Sequence, residues 1–155
     1  MKPFKVHPGL IASDFLVTID NHSWRIWLWE TQEDLKRWAD RHATDPHPEP
    51  GEYDHAEGLH SPTDYLAFDQ PGQHLGELHF IKNNWDLEKV AHEFLHGLFH
   101  YIRVLVPDFG RAFYMNWMSE EEKICYPFGE WVDWAYRWLW KKNPNPKWQK
   151  EVKED

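Results

Sequence analysis

The sequence predicts a single α+β domain, a class indicated by its length, its apolar content and the order of its patterns. The chain has 155 residues, which suits one domain with one core. Hydrophobic residues make up 41% of it, and its 11 Trp supply large apolar side chains for that core. Strand patterns come first and two long helical patterns follow. This order predicts a short antiparallel or mixed sheet packed on two helices.

The first half of the chain predicts a hairpin followed by a short helix. Residues 15–19 are apolar and β-branched, a polar turn follows, and residues 24–29 alternate between two faces. Thr31, with Asp34 three residues later, is typical of a helix start, and this helix is expected to end near His42.

The second half predicts a loop, two strands and two helices. Residues 44–62 are rich in Pro, Gly, Asp, Glu and His, which favours a long loop that could cover a site. Residues 64–68 and 76–81 are predicted to be strands. Asp86 can cap a helix that runs to about Leu105.

The last helix is predicted from a capping box. Ser119 and Glu122 form that box, the helix would run to about Trp140, and Pro127 would kink or break it near Tyr126. The domain is therefore expected to span residues 1–142, with a charged, disordered tail over residues 143–155.

Charge and composition exclude several classes of function. The net charge of −9 disfavours nucleic-acid binding, because the chain would repel phosphates. A single cysteine, Cys125, excludes an internal disulfide and suggests a reducing compartment. Met1-Lys2-Pro3-Phe4 is not followed by an apolar segment, so no signal peptide is expected, and no run approaches the roughly 18 apolar residues of a membrane span. A cytoplasmic location is expected.

The segment with the strongest chemical signal is His92-Glu93-Phe94-Leu95-His96 on the first long helix. At 100° per residue, a polar face gathers Glu93 with three histidines, His92, His96 and His100. The opposite face is apolar and includes Phe94, Leu95 and Leu98. The histidine stripe must therefore be solvated or built around a ligand.

Two histidines at i and i+4 can bind one Zn²⁺ with their imidazole nitrogens. Glu93 is rotated away from that axis, so it suits a general base for a water molecule rather than a ligand. His100 cannot join His92 on one metal, because eight helical residues span about 12 Å. His100 is left to a surface, supporting or substrate-contacting role.

A catalytic zinc usually has a third protein ligand, for which Glu120, Glu121 and Glu122 are candidates. Small residues three and seven positions after Glu122, at Cys125 and Gly129, could allow a close approach to Gly97 on the first long helix. This favours Glu122. Glu121 stays an alternative, although its helical neighbours form an apolar stripe typical of core.

These residues resemble the zincin metallopeptidases, in particular the Glu-zincins, over roughly residues 76–137. The similarity extends to small predicted metallopeptidases of phages and, in plan, to ImmA/IrrE-type proteases. It implies a zincin-like fold and a zinc metallopeptidase, with His92, His96 and Glu122 as ligands of one Zn²⁺ and Glu93 as general base. It also implies a peptide or protein substrate that pairs along residues 76–81 as a sheet edge. Tyr126 stands where the family often has Asp or Asn.

Two other functions remain open from the sequence. The chain could keep the metal but act through partner contacts, in which case we expect no groove beside the site. It could also be an acidic inhibitor that binds a basic partner in a salt-sensitive manner. A second metal site in residues 45–60, and a partner surface formed by Trp131, Trp134, Trp138 and Trp140, are less favoured than a solvated loop and core packing.

Overall fold

The protein folds as a four-stranded mixed sheet with three helices, which confirms the α+β class. A computed structural model describes residues 7–17, 23–42, 56–62, 74–105 and 109–144. The elements, in chain order, are β1 (Leu10–Val17), β2 (Ser23–Trp29), α1 (Gln32–His42), β3 (Gly58–Pro62), β4 (His74–Ile81), α2 (Leu87–Leu105) and α3 (Phe109–Lys142). None of the helices in these ranges is long and apolar enough to cross a membrane.

The strand order is β1-β2-β4-β3. β1 and β2 form the predicted antiparallel hairpin, with Asp14 opposite Ile26. β4 runs parallel to β2 and antiparallel to β3, so it is paired on both sides. The prediction that residues 76–81 form an edge is therefore wrong. The described strand at that end of the sheet is β3, which lies within the segment predicted as a loop.

Both sides of the sheet are covered because β2 presents large apolar residues to each. On one side, Trp24 and Ile26 pack against α2 and α3, together with Phe94 and Trp131. On the other side, Trp27 and Trp29 pack against α1 through Leu35 and Trp38. The predicted alternation of residues 24–29 is confirmed, with both faces buried.

Side-chain caps fix two of the helix starts as predicted. The Asp34 amide donates to Thr31 Oγ1 over 3.2 Å at the start of α1. The Lys89 amide donates to Asp86 Oδ1 over 2.8 Å at the start of α2. Each cap satisfies a backbone donor that has no partner within the helix.

The last helix is longer than predicted. α3 begins at Phe109, just after the predicted break around Pro107, so the start at Ser119 is wrong. Pro127 lies inside α3 without ending it. The predicted strand at 64–68 and residues 145–155 lie outside the described ranges.

α3 ends in the core rather than in a free tail. The Asn143 side chain is 8% exposed, and its Oδ1 accepts hydrogen bonds from the Asn83 amide and from Trp85 Nε1. Asn143, the first residue of the predicted tail, is therefore packed with the domain.

Candidate metal and catalytic site

α2 is rotated relative to its predicted orientation, and this changes the setting of Glu93. Its buried positions include Val90, Phe94 and Leu98, whereas Leu95 is 44% exposed. Glu93 is only 8% exposed. The predicted apolar face is thus wrong at Leu95, and Glu93 is not solvated with the histidines.

His92 and His96 form a close pair on the exposed side of α2. Their Nε2 atoms lie 3.2 Å apart and their ring planes meet at 82°. Partial burial, together with the neighbouring His92, lowers the pKa of His96, which favours the neutral form that a metal needs. Two nitrogen ligands at about 2.05 Å on a tetrahedral zinc would lie about 3.3 Å apart. The observed separation therefore fits two ligands of one ion.

The Glu93 carboxyl group is buried without a polar partner among the described residues. It lies beside Gly58 on β3, where an added Cβ would be 3.1 Å from Glu93 Oε1. Burial raises the pKa of Glu93 to about 7. A carboxyl group that is half protonated near neutral pH can both accept and donate a proton, as a general acid-base group must.

A cleft of about 450 Å³ opens beside His92 and Glu93. Its other walls are Glu57 and Gly58 at the start of β3, and Glu88 and Lys89 in the first turns of α2. The buried carboxyl group and one imidazole of the pair thus border a space that a ligand can enter.

A further histidine, His60 on β3, lies close to the pair. Its ring is nearly parallel to that of His96, with the ring centroids 6.5 Å apart, and it also packs on Trp24. The sequence placed His60 in a solvated loop, because residues 58–62 carry no β-branched or alternating pattern. Its place beside His96 depends on the long-range pairing of β3 with β4, which local sequence does not encode.

The three candidates for a third ligand cannot be compared by their contacts. Glu120, Glu121 and Glu122 lie in α3, but their side chains, like that of His100, fall outside the described set. Within the described residues, no group of three His, Cys, Asp or Glu is positioned to hold a metal. Glu122 therefore stays a prediction.

The predicted close approach between α2 at Gly97 and α3 at Gly129, which favoured Glu122 over Glu121, is wrong at both glycines. A Cβ on Gly97 would lie 2.9 Å from Cη2 of Trp24. The absent side chain at Gly97 therefore leaves room for the Trp24 indole of β2, not for a residue of α3. Gly129 is exposed, with no described atom within 4 Å of a built Cβ. The choice between the two glutamates thus depends on experiment.

The aromatic residues singled out from the sequence, and one further histidine on β4, lie away from the histidine pair or in the core. Trp131 and Trp138 are buried in the core, and Trp134 and Trp140 pack against it, as the core-packing interpretation predicted. Tyr126 is 72% exposed. His79 is fully buried and accepts a hydrogen bond from Trp29 Nε1 over 2.9 Å, on the side of the sheet away from α2.

No protein-family model, curated protein or solved structure matches the chain.

Proposed function

We propose that the protein is a zinc-dependent metallopeptidase with a zincin-like arrangement, in which Glu93 is the general base. The observation that carries the proposal is the state of Glu93. It is buried, has no described polar partner and lines a cleft together with His92, whose Nε2 lies 3.2 Å from Nε2 of His96. An unpaired buried carboxyl group costs stability, and such a cost is typical of a catalytic position.

His92 and His96 would hold the zinc through their Nε2 atoms, with Glu122 as the proposed third ligand and Glu121 as the alternative. When bound, zinc would supply a Lewis acid that lowers the pKa of water and polarises a carbonyl group. The raised pKa of Glu93 reflects burial alone, and a nearby cation would lower it again. Glu93 would then be ionised and ready to take a proton.

In this mechanism Glu93 accepts a proton from the attacking water and later gives it to the departing amine. Burial near Gly58 holds its carboxyl group in place, because the absent side chain at Gly58 leaves room for it. The cleft beside Glu93 would accept the peptide. An extended peptide could pair with β3, the described strand at this end of the sheet, rather than with β4.

The rival in which the metal serves only partner contacts predicts no groove beside the site. The cleft at His92 and Glu93 speaks against that rival. The acidic-inhibitor rival explains the charge of −9 but gives no reason for a buried, unpaired Glu93.

The decisive experiment compares the wild type with Glu93→Gln in zinc. Both proteins are incubated with a complex peptide mixture, and new termini are detected by mass spectrometry. We expect cleavage by the wild type and a loss of about 10²-fold or more in the variant, with equal zinc content in both. Equal turnover in the two proteins would contradict the proposed role of Glu93.

A further inference from the structure

The walls of the cleft beside Glu93 carry an unbalanced negative charge. Glu57 and Glu88 stand on its two sides, one before β3 and one in the first turn of α2. Lys89 is the one cation among the lining residues. Two carboxylates against one ammonium leave the entrance with an excess of one negative charge before Glu93 is counted.

Lys89 is not available to bind an anionic ligand. Its Nζ donates to Asn84 Oδ1 over 2.7 Å and to the Asn84 carbonyl over 3.2 Å, and it lies 3.2 Å from Glu57 Oε2. These three oxygens hold the ammonium group at the N-terminal end of α2. Lys89 therefore offsets part of the Glu57 charge and orders that side chain.

Glu88 has no such partner. Its side chain is exposed, and no described residue forms an ion pair or a hydrogen bond with its carboxylate. Glu88 lies four residues before His92, which is about 6 Å along the helix axis. The charged group of a lysine or arginine stands at the end of a long flexible stem, so a basic side chain of a peptide bound near His92 could extend toward Glu88.

The site has a second feature that points to a ligand. Glu93 is 92% buried, since 8% of it is exposed, and it lines the same cleft without a described polar partner. A chain bound beside Glu93 would therefore pass within reach of Glu88 and Glu57.

We infer that this cleft selects peptides with an arginine or lysine near the bond to be cleaved, with Glu88 as the main recognition residue and Glu57 assisting it. The inference rests on the proposed peptidase function and names its substrate class. The guanidinium group of arginine, with its fork of donors, can bridge two carboxylates, so arginine is expected to be preferred over lysine.

Binding and cleavage are tested separately. Fluorescein-labelled eight-residue peptides of Gly and Ala, with one central Arg, Gln or Glu, are titrated against the Glu93→Gln protein and followed by fluorescence anisotropy. The cleavage preference is read by mass spectrometry from a complex peptide mixture digested by the zinc-loaded protein with Glu93 intact. We expect the Arg peptide to bind about fivefold more tightly than the Gln peptide, as for a partly exposed ion pair, and this preference to fall as salt rises.

Matched variants assign the preference to the cleft. Glu88→Gln should abolish the preference for arginine in both assays, whereas Glu88→Asp should retain most of it. Lys89→Met should strengthen it, because the opposing charge is removed. Glu33→Gln, which neutralises an exposed acid on α1 across the sheet, should leave it unchanged.

The outcomes separate this inference from the proposed function. Cleavage without enrichment of basic residues, equal in wild type and Glu88→Gln, would overturn the inference and leave the peptidase intact. Binding of the Arg peptide that depends on Glu88, with no cleavage of any peptide, would overturn the peptidase and leave a site for cationic peptides. If the protein neither cleaves peptides nor binds the Arg peptide through Glu88, the inference and the proposed peptidase function are both overturned.

Discussion

The two sides of the sheet use histidine in opposite ways. On the α1 side, His79 is fully buried, its Nδ1 accepts a hydrogen bond from Trp29, and its ring lies 4.2 Å from that of Trp38. On the α2 side, His92 and His96 are exposed and contact mainly each other, beside a buried glutamate with no described partner.

Surroundings, rather than residue type, distinguish the buried, hydrogen-bonded His79 from the exposed pair on α2. Nδ1 of His79 accepts a hydrogen bond, and its Nε2 is buried 3.5 Å from Glu77 Oε2, so neither nitrogen is open to a ligand from solvent. The pair on α2 is exposed, with its two Nε2 atoms 3.2 Å apart. The hydrogen bond between Trp29 and His79 stabilises the fold on the α1 side, whereas the buried carboxyl group of Glu93 on the α2 side costs stability unless a ligand is bound.

The largest expected effect is the response of stability to zinc. A ligand at 1,000 times its dissociation constant stabilises a protein by about 4 kcal/mol, so zinc should raise the melting temperature markedly. His92→Ala and His96→Ala should lose this shift, while His42→Ala, an exposed histidine on α1, should keep it. Calorimetry with and without chelator measures the effect. An undiminished shift in His92→Ala would place the metal elsewhere.

The pH dependence of the metal-free protein comes next. Burial raises the pKa of Glu93 from 4.5 to about 7, so the folded state holds a proton that the unfolded state releases. The contribution of Glu93 to the free energy of unfolding is therefore greatest below pH 4.5. It falls by up to about 3 kcal/mol as the pH rises through 7. Glu93→Gln should therefore be more stable than the wild type at pH 8 but not at pH 4. Urea unfolding at both pH values, with chelator present, tests this. An equal difference in stability between the wild type and Glu93→Gln at pH 4 and pH 8 would contradict this prediction.

On the α1 side, pH should act in the opposite direction. Burial lowers the pKa of His79, with Glu77 opposing the shift, so its contribution is present above the ordinary value near 6.5 and is lost as pH falls. His79→Leu should reduce this acid sensitivity. The same change should cost about 1–3 kcal/mol at pH 8, because Trp29 Nε1 loses its acceptor. His42→Leu serves as the control in denaturant unfolding, and equal losses in both would refute the special role of His79.

The smallest effect concerns the two helical glycines. Gly97→Ala would bring a Cβ to 2.9 Å from Trp24, so we expect a net loss of about 1 kcal/mol despite better helix propensity. Gly129→Ala faces open space and should gain up to about 1 kcal/mol. Thermal unfolding of the two variants compares them directly. A gain in stability in both variants would mean that the Trp24 indole can move aside without destabilising the protein.

Local patterns predicted the elements whose signals are themselves local. The side chains of β2 alternate between two faces, and Thr31 and Asp86 cap helices. These three features depend on residues a few positions apart, and all three are confirmed. The histidine pair was predicted for the same reason, because four-residue spacing on a helix fixes its geometry.

Features that depend on distant contacts were missed. The interior position of β4 depends on β3, which has no strand pattern of its own. The Ser119 capping box looks like a helix start, but α3 continues through it from Phe109. The burial of Glu93 and exposure of Leu95 depend on where the sheet meets α2, and apolar periodicity alone could not fix that rotation.

The central claim is that His92 and His96 hold a metal, and native mass spectrometry of the untagged protein tests it most directly. The wild type should carry about one zinc per chain, and His92→Ala none. Glu122→Ala and Glu121→Ala, measured beside them, should identify the third ligand through a loss of zinc from one of the two. A wild type that binds no zinc, even after incubation with the ion, would contradict the account and make the imidazole pair an incidental feature of a histidine-rich chain.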